Sequence, residues 1–120
     1  MKKDDLLYFL HIRDSIKKVL EYSSGVDEKS FLKNTMLQDA LVRQIEIIGE
    51  ASSKVSLRTR NKYSNIPWIQ IIAMRNRIIH EYFGVRLDIV WDTVQNDILS
   101  LKDDIDKIIE DLTPQSSLDF

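Results

Sequence analysis

The sequence predicts an all-α protein, an up-and-down bundle of four main helices plus a short helix. Apolar residues recur at three- and four-residue spacing along most of the chain, as on the buried face of an amphipathic helix. Only three Gly and two Pro occur among the 120 residues, and most of them separate the periodic segments. With 43% hydrophobic and 30% charged residues, the composition is that of a globular chain rather than a disordered one.

The first predicted helix opens at Asp4 and Asp5 and stops at Gly25, because glycine commonly follows the last helical turn. Its apolar stripe consists of Leu6, Phe9, Leu10, Ile16, Val19 and Leu20. Residues 27–34 are predicted to connect this helix to the next one, with a helical turn that begins at Ser30.

The second predicted helix lies in the segment "NTMLQDALVRQIEIIGEASSKVS", residues 34–56. Its apolar face consists of Met36, Leu37, Ala40, Leu41, Ile45, Ile48, Ala51, Ser52 and Val55. Glycine costs a helix interior about 1 kcal/mol relative to alanine, so the predicted reason for Gly49 is the close approach of another helix. The polar residues 57–65 are predicted to form a short helix or a loop.

The third predicted helix starts with Pro67 at its first position and runs to about Tyr82, before Gly84 ends it. Its inward residues are expected to be Ile69, Ile72, Ile79 and part of Trp68. The last helix precedes Pro114, and its stripe consists of Leu87, Val90, Trp91, Val94, Ile98, Leu101, Ile105, Ile108 and Leu112. Residues 1–114 are therefore predicted to form a single domain, followed by a frayed tail, 115–120.

The composition argues against several classes of protein. The chain contains no cysteine and only two histidines, so neither disulfides nor a zinc site is expected. The apolar run near the start is short and interrupted by acids and bases, so it predicts neither a signal peptide nor a membrane span. We expect a cytoplasmic protein, and its small size makes oligomerisation plausible.

Charge is distributed unevenly along the chain. Residues 51–80 carry six basic side chains and no acidic one, whereas the remainder carries 11 basic and 19 acidic residues, a net charge of −8. The basic residues are Lys54, Arg58, Arg60, Lys62, Arg75 and Arg77. Such a segment is a candidate phosphate-binding surface, because attraction to a polyanion acts locally. A set of solvated side chains without a ligand explains the same pattern equally well.

The stretch "RNRIIHEYFG" places Arg75, Asn76, His80 and Tyr82 within about two helical turns. An imidazole can take a proton from a 2′-hydroxyl or give one to a departing 5′-oxygen, while an arginine holds the phosphoryl oxygens. This chemistry is metal-independent RNA cleavage, and no carboxylate cluster suited to magnesium accompanies the set. Alternatively, His80 makes a structural hydrogen bond at the helix end.

The segment "MRNRIIHEYFGVRLDIVW" closely resembles the signature of the HepT-like family within the HEPN superfamily, an Arg, four residues, a His, one residue and a Tyr. The similarity extends to "YFLHI", "QDALVRQIEIIGEA" and "IPW", and so to nearly the whole chain in order. It implies a HEPN-like, homodimeric helical ribonuclease without a cofactor, the toxin of a toxin–antitoxin pair. RNA is the implied substrate and no DNA partner is expected.

The resemblance also implies a role for each motif residue. Arg75 and His80 are the catalytic pair, Asn76 supports them, and Tyr82 accepts AMP from an MntA-type nucleotidyltransferase that neutralises the toxin. Arg86 departs from the family pattern, in which an acidic residue is expected. This departure leaves the catalytic motif intact but puts a carboxylate-dependent partner contact in doubt.

Several residues outside the motif have predicted positions of their own. His11 is expected at an interface or the core edge rather than as a second catalytic base, and Trp68 and Trp91 in the core. Glu50 is expected to be solvated or paired with a nearby base, with a contact to Arg75 or Arg77 as the alternative. Lys54, Arg58, Arg60, Lys62 and Arg77 are candidate RNA-binding residues. The competing functions are a non-enzymatic adaptor that regulates a nucleotidyltransferase and a nucleotide-binding module without turnover.

Overall fold

A computed structural model describes the backbone of residues 3–80 and 86–113, and the side chains of residues 5–77 and 86–113. This part of the chain is helical and contains no strand, which confirms the predicted fold class. The helices are α1 (Lys3–Ser23), α2 (Glu28–Lys33), α3 (Thr35–Lys54), α4 (Leu57–Lys62), α5 (Trp68–His80), α6 (Leu87–Asp92) and α7 (Ile98–Leu112). A π-helical turn, Thr93–Asp97, joins α6 to α7, so these elements form one long helix.

The four main helices are α1, α3, α5 and the composite of α6 and α7, with α1 packed on α3 and α7, and α3 packed on α5. Two short helices occur instead of one, because the connector also forms a helix, α2. None of the helices described is both long enough and apolar enough to cross a membrane. The predicted tail, 115–120, lies outside the described residues.

Polar side chains set the starts of three helices. In each case an oxygen accepts a hydrogen bond from the backbone N–H three residues further on, which satisfies a donor that the helix leaves unpaired. The pairs are Asp27 with Ser30, Asn34 with Leu37, and Ser56 with Thr59. The bond from the Ser30 backbone also lowers the pKa of Asp27. Helix α2 therefore begins at Glu28, two residues before the predicted turn.

A continuous apolar core lies between the main helices, and most of the predicted stripe residues contribute to it. Both tryptophans belong to this packing, as predicted. The Trp68 ring meets Phe9 edge-on at a centroid distance of 5.9 Å, and Trp91 stacks on Phe31 at 5.0 Å. Trp68 also donates from Nε1 to the Tyr63 carbonyl at 3.1 Å, so its polar atom is satisfied.

The π-helical turn helps to keep the last stripe on the core. Val90, Val94 and Ile98 are spaced by four residues, and on an α-helix this spacing would advance the stripe by about 80° over eight residues. A π-helical turn contains more residues than a turn of α-helix, which offsets this advance. Its hydrogen bond spans five residues, from the Ile98 N–H to the Thr93 carbonyl. All three apolar side chains are consequently buried.

Two apolar residues predicted to face inward are instead exposed, and a third, Ile72, is half-buried but is not among the residues packed on the core. Ile69 is 81% exposed and Met36 is 84% exposed. Ile69 points away because it lies about 160° around the helix from Ile71, which packs against the core. Met36 lies in the first turn of α3, about 140° from the fully buried Leu41. The prediction for Ile79 concerns a side chain outside the described set.

Asp5 anchors α4 to α1. Its carboxylate is 1% exposed and accepts hydrogen bonds from the Ser56 backbone N–H at 2.9 Å, the Ser56 hydroxyl at 2.7 Å and the Thr59 hydroxyl at 2.6 Å. The buried charge is stabilised because several donors surround it. The sequence indicated only that Asp5 opens a helix, whereas the structure shows a contact across 51 residues of chain.

Candidate functional site

Gly49 positions the first residue of the candidate motif. A Cβ atom built on Gly49 would lie 2.2 Å from the Cβ atom of Arg75 and 3.3 Å from the carbonyl oxygen of Ile71. The first distance is too short for any side chain and the second is a tight contact, so α5 approaches α3 this closely because residue 49 has no side chain. The predicted reason for this glycine is confirmed, and the helix that approaches is the one that carries Arg75.

The Arg75 guanidinium is held from two sides. Its Nη2 group donates to Glu50 Oε2 in an ion pair, and Nη1 donates to Asn76 Oδ1 at 2.8 Å. The Nε atom is buried and has no hydrogen-bond partner within the described part of the chain. The Arg75 side chain is only 28% exposed, so the guanidinium is oriented before any ligand arrives. Glu50 therefore contacts Arg75, which was the alternative to the prediction of a carboxylate that is solvated or paired with a nearby base.

Glu50 also lies between two cations. Its Oε1 atom is 3.5 Å from Lys54 Nζ, one turn further along α3. The carboxylate thus balances part of the positive charge of Lys54 and Arg75, and holds Arg75 at the edge of a groove. The contact between Glu50 and Arg75 could not be predicted from helical periodicity, because the two residues lie on different helices.

A groove of about 350 Å³ opens between α1 and α3 and reaches Arg75. Tyr8 and His11 line it from α1, and Arg43, Glu50 and Lys54 are among the residues that line it from α3. His11 is exposed and sits in the same groove as the predicted catalytic arginine. The sequence placed His11 at an interface or core edge, and the only signal for the groove was its spacing of three residues from Tyr8.

His80 is the last residue of α5, and its side chain lies outside the described set, as does the whole of Tyr82. The structure therefore brings together Arg75 and Asn76 of the predicted motif. Asn76 is exposed, on the same helical face as Ile69 and Ala73, which are also exposed.

The five predicted RNA-binding residues are distributed over three helices. Lys54 lines the groove at the end of α3. Arg58 and Lys62 are exposed on α4, Arg60 is half-buried there, and Arg77 is exposed on α5. Lys62 Nζ also lies 5.4 Å from the centroid of the Tyr63 ring. The structure thus places Lys54 beside Arg75 and the others on nearby stretches of chain.

Arg86, the residue that departs from the family pattern, forms an ion pair with Asp88, two residues further along the chain. Its guanidinium donates to both carboxylate oxygens of Asp88, at 3.0 and 2.7 Å. These bonds lower the pKa of Asp88.

The described residues offer no cluster of metal ligands. Their His, Asp and Glu side chains do not form groups of three that could hold a metal ion.

Comparison with known proteins identifies a family. The profile of the family described as "Ribonuclease HepT-like" matches residues 12–108, which is most of the chain. No solved structure matches the chain.

Several archaeal proteins are similar over nearly the whole chain. One from Methanocaldococcus jannaschii, described as a gamma-glutamylcyclotransferase and candidate RNase, is 44% identical across 93% of this chain. The chain spans only 50% of that relative's length. A second protein of that organism, described as a candidate RNase, is 36% identical, with 88% of this chain and 98% of the relative aligned. The "Probable ribonuclease HepT" of Thermococcus cleftensis is 35% identical, with 90% and 98% aligned.

Proposed function

Because the chain belongs to the HepT-like ribonuclease family and is a ribonuclease, we propose that it is a metal-independent endoribonuclease with Arg75 and His80 as its catalytic pair. The observation that carries this proposal is the orientation of Arg75 by Glu50 and Asn76 at the edge of a groove. A guanidinium held in this way is suited to a phosphodiester, since its planar donors match phosphoryl oxygens.

The residues divide the chemistry between them. Arg75 stabilises negative charge on the phosphoryl oxygens as it builds. His80 exchanges the proton, either from the 2′-hydroxyl or to the departing 5′-oxygen, because an imidazole titrates near neutral pH. Asn76 and Glu50 position Arg75. The need for a 2′-hydroxyl makes RNA the substrate and excludes DNA.

The active unit in this proposal is a homodimer with facing copies of α5. Ile69, Ala73 and Asn76 lie within about 60° on the exposed face of α5, and Ile69 is 81% exposed. An apolar residue exposed to this degree, in line with the motif, is suited to a contact between protomers. Such a contact would place two arginines and two histidines in one cleft.

Five basic residues extend the substrate surface beyond the catalytic pair: Lys54, Arg58, Arg60, Lys62 and Arg77. Their charges lie within a stretch of chain that has no acidic residue. They would hold the RNA backbone by a salt-sensitive attraction.

The biological role proposed here is that of a cytoplasmic toxin controlled by an MntA-type nucleotidyltransferase. AMP transfer to Tyr82 would add bulk and a negative phosphodiester to the catalytic motif. The added phosphate would compete with RNA for Arg75, so modification would silence the enzyme.

The proposal is tested by RNA cleavage in the presence of EDTA. Arg75→Ala and His80→Ala should each lower cleavage by at least about 100-fold, because each removes a group that acts in the transition state. Arg13→Ala, a change of an exposed cation on α1, is the matched control and should cleave normally. Full activity of a pure His80→Ala preparation would overturn the assignment. Absence of cleavage by the wild-type protein would favour the non-enzymatic adaptor.

Control by AMP transfer is tested separately. Incubation with an MntA-type nucleotidyltransferase and ATP should add one or more AMP masses and abolish cleavage, whereas Tyr82→Phe should stay active and unmodified at that position. Intact-protein and peptide mass spectrometry measure both effects. An unmodified Tyr82 in the wild-type protein would refute this switch.

A further inference from the structure

The groove that ends at Arg75 contains groups that phosphate binding alone does not explain. Three residues of its α3 wall, Arg43, Glu50 and Lys54, share one helical stripe that rises by about 16 Å. Tyr8 and His11 stand one turn apart on the α1 wall. Its volume of about 350 Å³ falls within the range of sites for small organic ligands.

The charge of the groove argues against a simple channel for the RNA backbone. Glu46 and Glu50 both line it, and each is paired with a cation, Glu46 with Arg43 at 3.6 Å and Glu50 with Lys54 at 3.5 Å. Glu50 is explained by its ion pair with Arg75, but the Glu46 carboxylate would repel a phosphate, so a surface that bound only the backbone does not explain Glu46. A nucleobase edge, in contrast, presents both hydrogen-bond donors and acceptors and can use both signs of charge.

The opposite wall offers planar side chains. Tyr8 is half-buried against the core and therefore fixed, whereas His11 is exposed to the groove. Aromatic and imidazole rings are the usual stacking partners of unstacked RNA bases. Ile47 and Ala51 add apolar surface to the groove, which suits the face of a base and does not suit a phosphate.

We propose that this groove binds the nucleobase adjacent to the scissile phosphate, with His11 and Tyr8 stacking on the base and Arg43 and Glu46 meeting its edge. This inference rests on the proposed function, because Arg75 marks where the phosphate lies. His11 is thus a binding residue that selects and positions RNA, and it does not transfer a proton. The site makes the enzyme prefer unpaired RNA, since a paired base cannot enter the groove.

The test is a scan with abasic RNA. The cleaved bond is first mapped in a short unpaired RNA. A 2′-deoxy substitution at the nucleotide whose 2′-hydroxyl would attack this bond then prevents cleavage, so that binding can be measured alone. A set of such oligonucleotides, each lacking one base, is titrated by fluorescence anisotropy. Loss of the base next to the scissile phosphate should weaken binding by roughly 5- to 150-fold, the range expected for base stacking on an aromatic side chain.

The variants separate stacking from other roles of His11. His11→Ala should weaken binding of the intact oligonucleotide and reduce the loss of affinity caused by the missing base. His11→Phe should keep both the wild-type affinity and the wild-type loss. Arg13→Ala, on the same helix but outside this groove, should match the wild type. Loss of cleavage in His11→Phe with unchanged binding would show a proton-transfer role and overturn the inference.

The two proposals fail in different ways. If each missing base weakens binding to the same extent in the wild type and in His11→Ala, the base-binding site is refuted. EDTA-resistant cleavage would still support the nuclease. If the wild type neither binds nor cleaves RNA, the proposed function fails and this inference fails with it.

Discussion

Gly49 and Arg75 show how one absent side chain can position a functional one. The close approach at Gly49 brings α5 near enough to α3 for Arg75 to reach Glu50 without extending into solvent. The ion pair is partly buried, so its charges are screened less than those of a surface pair. We infer that the ion pair orients the Arg75 guanidinium rather than stabilising the fold, because partly exposed pairs add little net free energy of folding.

At the residue scale we predict that Gly49→Ala damages the enzyme and the fold together. The added methyl group would overlap with Arg75, so α5 must shift, at a cost of about 1–3 kcal/mol in unfolding free energy. RNA cleavage should fall sharply because Arg75 moves. Chemical denaturation and cleavage assays measure the two effects.

Gly25→Ala is the matched control for this prediction. Gly25 has a φ angle of 73°, and no atom of the described residues lies within 4 Å of an added Cβ, so alanine there costs backbone strain without displacing any of them. It should lower stability and leave cleavage per folded molecule unchanged. If Gly49→Ala behaves in the same way, the close approach does not position Arg75.

At the element scale, short helices depend on contacts that their own sequences do not contain. An isolated six-residue helix such as α4 is unstable in water, because too few hydrogen bonds offset the cost of its first turn. The Asp5 carboxylate compensates by accepting hydrogen bonds from Ser56 and Thr59. Helix α4 carries three of the proposed RNA-binding residues, so this anchor also positions part of the basic surface.

We predict that Asp5→Ala lowers the unfolding free energy by about 2–4 kcal/mol, because buried donors then lose their acceptor. Asp14→Ala removes an exposed carboxylate from the same helix, one that forms a surface ion pair with Lys18, and should cost less than about 1 kcal/mol. Urea denaturation followed by circular dichroism compares the two. Equal losses would show that Asp5 does not anchor α4.

At the scale of the whole molecule, the proposed dimer explains why α5 exposes an isoleucine. In a monomer Ile69 would present its apolar surface to water for no gain, whereas a facing copy of α5 would bury it. The same contact would bring the two motifs together. The error in predicting Ile69 as a core residue therefore identifies the surface on which the dimer proposal depends.

We predict that Ile69→Asp yields a folded monomer that does not cleave RNA. The residue is outside the protomer core, so the circular dichroism spectrum should be unchanged while light scattering reports half the wild-type mass. Leu99→Asp, at a residue 54% exposed on α7, should remain dimeric and active. A dimeric, active Ile69→Asp protein would place the interface elsewhere.

The sequence by itself determined the four main helices, most of the core residues and the family, since amphipathic spacing, breakers and motif spacing are local properties of the chain. It also indicated why Gly49 is a glycine, because helix propensity makes that residue costly unless another helix approaches. Only the tertiary structure decided that Arg75 pairs with Glu50, that His11 shares its groove, that Asp5 anchors α4 and that Ile69 is exposed. These features depend on the positions of helices relative to one another, which follow from packing between segments far apart in sequence and leave no periodic signal within either segment.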